Sequence, residues 1–235
     1  MGYVTDCRLG INCSIGDEKM TDSYQEYFNY YLELEKDFFL TEPYVTIEKD
    51  NFATFSIQYN RIYQSICSEI DSMLKVLCRQ LDGKCKADKL STYCKVFQEY
   101  FPHFNSEIVY FYKSRIELQP WKEWTEEKAP LWWTMYNKVK HHRVEINKET
   151  EKPYYQYANL ENVLNALTAL YIVEEYYIFS LNSGDVTGRK ACADALERTH
   201  SRKCVMKRWM DAGCYSGFMG QKFFEIERLE RIMGE

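Results

Sequence analysis

Residues 157–181 read YANLENVLNALTALYIVEEYYIFSL, and this stretch decides the fold. Leu160, Val163, Leu164, Leu167, Leu170, Tyr171, Tyr177 and Ile178 recur at intervals of three and four, the spacing of one helix face. Ala166 and Ala169 on the same segment let a neighbouring helix come close. Glu174 and Glu175 interrupt the apolar run, which is too short to span a bilayer. The segment therefore reads as a core helix, stopped by Asn182, Ser183 and Gly184.

Upstream lies a second long stripe. Phe55, Tyr59, Ile62, Tyr63, Ile66, Ile70, Met73, Leu74, Leu77 and Leu81 extend over about seven turns, and Asp82-Gly83 closes them. Before it, Tyr24, Tyr27, Phe28, Tyr31, Leu34, Phe38 and Phe39 predict an amphipathic helix that ends ahead of Pro43. A shorter helix is expected from Lys89 to Phe101, stopped by Pro102. Residues 108–116 suit helix or strand. Trp121 and Trp124 fall in a polar loop, after which Ala129-Pro130 opens another helix with proline in its first position. Residues 147–156 form a charged loop. The expected fold is all-α, an antiparallel helical bundle of four to five main helices with a C-terminal helical extension. Its expected parts are a loose arm over residues 1–20, the bundle over 21–181 and a basic extension over 182–235 that ends in a helix from Phe223 to Met233.

Composition narrows the function classes. With 46% hydrophobic and 28% charged residues in a chain of 235, wholesale disorder is excluded. Twenty Tyr, 13 Phe and 5 Trp predict a core rich in rings. The net charge of −5 gives no global argument for nucleic acid or an anionic membrane. Between Arg189 and Arg208, however, seven Lys or Arg face only Asp194 and Glu197. That local excess reads either as an anion-binding tail or as a solvated helix face balancing an acidic body. The nine cysteines are odd in number and contain no CxxC, so neither a disulfide framework nor a zinc ribbon is indicated. Cys67, Cys78 and Cys85 stay near one side of a helix, as small core thiols would. The first residues lack an apolar run behind a basic start, which points away from a secretory signal and to a cytoplasmic protein.

Chemistry concentrates in Trp132–Arg143, WWTMYNKVKHHR. At about 100° per residue, Trp132, Met135, Tyr136, Val139 and Arg143 share one broad face. Asn137, Lys140 and His141 cluster along its edge. Histidine exchanges protons near neutral pH, asparagine offers donors, and lysine carries a charge for an oxyanion or phosphate. The same residues also fit a structural role, with Asn137 and His141 satisfying carbonyls and Lys140 and Arg143 reaching solvent. Adjacent His141 and His142 lie on different helix faces, so no metal and no cofactor is expected. Glu69 borders the long stripe, either facing the seam to orient His141 or lying exposed.

Three segments together, ICSEIDSMLKVL (66–77), WWTMYNKVKHHR and YANLENVLNALTALYIVEEYY, resemble the HEPN superfamily of small helical bundles from bacterial toxin–antitoxin and phage-defence systems. The resemblance covers roughly residues 50–180. It implies a homodimeric, metal-independent endoribonuclease whose motif is Arg, a polar residue, three variable residues and His. Asn137 matches the polar position and His141 the histidine, while Tyr136 stands where the family has arginine. The implied reaction is attack of a ribose 2′-OH on its neighbouring phosphate, with His141 moving a proton and Lys140 or Arg143 supplying the charge. The implied partners are an RNA substrate, a second copy of the chain and an antitoxin or defence-system protein, with no membrane. The alternative expectation is a non-catalytic helical module that binds RNA or a partner protein.

Overall fold

The computed structural model describes residues 17–181, 201 and 203–208. Five helices dominate: α1 (Asp17–Phe39), α2 (Ile57–Leu81), α3 (Leu90–Tyr100), α4 (Leu131–His142) and α5 (Leu160–Leu181). Three short strands accompany them: β1 (Val109–Phe111), β2 (Ile116–Leu118) and β3 (Cys204–Met206). Among the described residues, no helix is long and apolar enough to cross a membrane.

Local chemistry sets the ends of α2. Ser56 is extended, with φ −155°, and its hydroxyl accepts the Tyr59 N–H at 3.0 Å, satisfying one of the first-turn donors. At the far end Asp82 leaves helical geometry. The buried residues of α2 are those of the predicted stripe from Tyr59 to Leu81, joined by Cys67 and Cys78. Phe55 stays outside the helix in an isolated bridge with Asn159. Helix α4 starts one residue after the expected position, with Pro130 as its cap and the Pro130 carbonyl accepting from Thr134 N–H.

Helix α5 departs furthest from a one-sided stripe. Every residue from Leu160 to Ser180 is buried except Glu161 and Asn165. A helix apolar on all sides needs covering on all sides, and α1, α2 and α4 all pack against it. The Leu160 N–H donates to the Thr54 carbonyl at 2.9 Å, so α2 and α5 start from one corner. Helix α1 runs against α5, with Tyr31 on Tyr171 and Tyr27 on Tyr177.

Trp121 and Trp124, read as residues of a polar loop, are fully buried. Their indole N–H groups reach the carbonyls of Ala169 at 3.3 Å and Leu90 at 3.1 Å, which lets the rings enter the core without an unpaired donor. Around them Phe97, Phe101, Phe104 and Tyr176 meet mostly edge to face, the favoured geometry for aromatic pairs.

The sheet corrects the all-α expectation. Within the open segment 108–116, residues 109–111 form strand and 112–115 the turn after it: Val109 and Phe111 are buried, and β-branched and aromatic residues suit a half-buried pleat. Arg115 takes a positive φ of 54° in the turn to β2. The order is β2-β1-β3, both pairs antiparallel, with Val109 opposite Leu118 and Met206. Thus the segment expected to be a helical extension supplies a strand at 204–206, because its Cys-Val-Met run is buried against the free edge of β1. The expected terminal helix Phe223–Met233 and residues 1–16 lie outside the described residues.

Buried carboxylates tie that strand down at both ends. Ser201 donates to Glu35 at 2.6 Å, and Tyr31 donates to the same oxygen at 2.8 Å. Beyond β3, the Arg208 guanidinium and the Tyr176 hydroxyl both donate to the fully buried Glu107. Lys207 pairs with Glu117, and Lys203 lies over the Phe39 ring at 4.9 Å. The described cations of the basic stretch are therefore engaged with the body. Removing one partner of a buried pair strands the other charge. Arg208→Ala is expected to cost about 3–5 kcal/mol in chemical denaturation, and Arg208→Ala combined with Glu107→Gln should recover part of that loss; equal stability of wild type and the single variant would refute the clasp.

Candidate functional site

The first turns of α4 are anchored and its last turn is free. The Trp132 indole donates to the Pro120 carbonyl at 2.8 Å, and the Tyr63 hydroxyl donates to the Trp132 carbonyl. Trp132, Met135, Tyr136 and Val139 are buried, as their shared face predicts, while Arg143, assigned to the same face, lies past the helix end and is exposed. From Lys140 onward the helix emerges: Lys140, His141 and Arg143 are exposed and His142 is half-buried. Cations in a last turn also complement the negative end of the helix dipole.

Each residue singled out from the sequence has a definite place. Asn137 is half-buried, and its amide donates to the Trp133 carbonyl of its own helix at 3.2 Å. The Lys140 ammonium sits over the Tyr136 ring, 5.5 Å from its centre, a cation–π contact. The Tyr136 phenol is pushed up by burial, while its hydrogen bond and charge contact with Lys140 pull the other way. Among the described residues, no carboxylate pairs with Lys140 or Arg143.

The two histidines differ in their surroundings. His141 is exposed, with the His142 ring 6.5 Å away as its aromatic neighbour. The imidazole in contact with a carboxylate is His142, whose Nδ1 lies 2.8 Å from Glu145 Oε1. That pair closes across the turn that follows the helix, because Glu145 lies beyond the last helical residue, so helical spacing does not single it out. Glu69 is half-buried on α2 and interacts electrostatically with Glu174 of α5.

Sequence reasoning also missed the ring-bearing flank. The 3-10 turn Tyr154–Tyr157 packs against α4, and Lys138 lies over the Tyr154 ring at 5.6 Å. The Arg143 carbonyl accepts from Tyr155 N–H, and Tyr155 meets Phe55 edge to face. Contacts spread over residues 55, 143 and 155 leave no periodic signal. Together they give a solvent-facing edge of Lys140, His141 and Arg143 beside partly exposed aromatic rings. Such an edge can bind an anion, stack on a planar group and exchange a proton. Among the described residues, no group of three or more His, Cys, Asp or Glu side chains is placed to hold a metal ion.

No protein-family model matches the chain, and neither does any curated protein or solved structure.

Farther along α5, Glu174 is buried with neither carboxylate oxygen hydrogen-bonded. Burial raises its pKa well above the ordinary 4.5, and the nearby charges of Glu69 and Glu175 raise it further. A raised folded-state value means that folding favours the protonated form. The associated stability is present below pH 4.5 and is lost as pH rises through the folded-state value. Glu174→Gln should therefore gain melting temperature relative to wild type as pH is raised from about 5 to about 8. A difference between the two proteins that stays constant across that range would exclude a titrating Glu174.

Proposed function

We propose that the chain is a HEPN-like, metal-independent endoribonuclease of a bacterial defence or toxin–antitoxin system. In this reading α1, α2, α4 and α5 form the helical bundle of a cytoplasmic homodimer, with α2 and α5 parallel, and the exposed end of α4 contacts RNA. The supporting observation is the solvent-facing set of Lys140, His141 and Arg143 at one helix end, with no carboxylate paired to Lys140 or Arg143 among the described residues. An attacking 2′-OH must lose a proton as its oxygen bonds to phosphorus, and in this reading His141 accepts it. Charge then accumulates on the phosphorane oxygens, where Lys140 and the forked guanidinium of Arg143 provide compensation. Dependence on the 2′-OH restricts the substrate to RNA. A second copy facing this edge would bring two histidines to one cleft and exclude water.

A second reading, RNA binding without cleavage, is favoured by two observations. Tyr136 occupies the arginine position with its ring buried, and the Asn137 amide is turned onto its own helix. In that case the cations hold phosphate and the neighbouring rings stack on bases, and affinity falls steeply with salt.

The purified full chain, incubated in a chelator with a labelled single-stranded RNA, separates the two. Cleavage leaving 2′,3′-cyclic phosphate ends is expected, with His141→Ala slowing it at least about 100-fold and Lys140→Ala/Arg143→Ala weakening binding. Intact RNA with salt-sensitive binding selects the non-catalytic reading. Absence of both cleavage and binding overturns both.

A further inference from the structure

Cys78 lies in the last turns of α2, and Cys85 lies just beyond the turn that closes the helix. The chain doubles back between them. Asp82 N–H donates to the Cys78 carbonyl at 2.9 Å, and Cys85 N–H donates to the Asp82 carbonyl at 2.8 Å. The Asp82 carboxylate accepts from Lys84 N–H at 2.9 Å, tightening the same turn. This folding-back brings the two thiols into side-chain hydrogen-bonding contact. Cys78 is buried and Cys85 is half-buried, so one sulfur of the pair is reachable from solvent. The Cys85 sulfur also accepts the Ala87 N–H at 3.3 Å, which fixes its direction, and its side chain packs on the core.

We infer that Cys78 and Cys85 form an oxidation site, a thiol pair that a hydroperoxide converts into an intramolecular disulfide joining the end of α2 to the connection into α3. In the first step the Cys85 thiolate attacks the terminal peroxide oxygen. The O–O bond breaks, an alcohol leaves, and Cys85 becomes a sulfenic acid. In the second, the Cys78 sulfur attacks the Cys85 sulfur, its proton leaving with the displaced hydroxide as water. The pair loses two electrons and two protons, and the peroxide takes them up as alcohol and water. The order follows from exposure: Cys85 meets the oxidant, and the buried Cys78 resolves the product. Burial pushes the Cys78 thiol up, which makes it the slower partner and keeps the reduced pair stable until Cys85 has reacted.

Trypsin isolates each sulfur, because Cys78 falls in the peptide Val76–Arg79 and Cys85 in Cys85–Lys86. The full chain is treated with hydrogen peroxide in its folded state, remaining thiols are alkylated, and peptides are mapped without reduction. The linked pair Val76–Arg79 to Cys85–Lys86 is expected to be the main oxidised form of Cys85. Cys78→Ser should abolish it and leave Cys85 sulfinylated or trapped by an added thiol. Reduction of the oxidised wild type should restore both alkylatable thiols. Oxidation in about 8 M urea, where the contact is lost, should give the linked pair in several-fold lower yield. Cys85 recovered mainly alkylated, or mainly linked to another cysteine, overturns the inference, as does an equal yield from folded and unfolded protein.

Discussion

Burial of α5 on every side is the constraint from which the rest of the structure follows. A helix with no solvent face stabilises a fold only if several elements are brought to it, and here α1, α2 and α4 each contribute a face. The short sheet and the aromatic cluster around Trp121 and Trp124 close the remaining sides. Once α4 is laid against this core by Trp132, Tyr136 and Val139, its end meets only the short turn at 154–157, which leaves Lys140, His141 and Arg143 exposed. The exposed side chains at residues 140, 141 and 143 are the outcome of that placement.

Complete burial also shapes the electrostatics. Glu174 and Glu175 interrupt an apolar run, and the fold takes both inside. An isolated charge there is costly, so Glu174 is held toward its neutral form. Glu35 and Glu107 follow a different course. Each is buried but gains donors from residues 201–208, and these contacts fasten the strand that completes the sheet. Glu35 is nevertheless raised by burial, against the pull of its Ser201 and Tyr31 hydrogen bonds. Part of the basic stretch thus acts as an internal partner for acidic groups of the body.

Helices were legible because periodicity reports burial directly. The stripe from Tyr59 to Leu81 and the run from Leu160 to Ile178 appear where their spacing placed them. What escaped was structure built by non-local pairing. Strand β1 depends on a partner about a hundred residues away, and three-residue strands are too short to show a period. Trp121 and Trp124 looked like loop residues because their neighbours are polar, while their indole donors are matched by distant carbonyls. At the candidate site, helical angles put Asn137, Lys140 and His141 along one edge, whereas the exposed end of the helix carries Lys140, His141 and Arg143, and the Asn137 amide turns onto the Trp133 carbonyl. The Lys140–Tyr136 contact, the His142–Glu145 pair and the tyrosine flank were not weighed, since they depend on rotamers and on the return of the chain at residues 154–157.

The central functional claim is that RNA meets this molecule at the exposed end of α4 and its tyrosine flank. Ultraviolet crosslinking of the full chain to a single-stranded RNA, with peptide mapping of the attachment sites, addresses it most directly. Crosslinks concentrated in residues 138–157 are predicted. Crosslinks confined to the basic stretch 189–208, with none on α4 or its flank, would contradict the account.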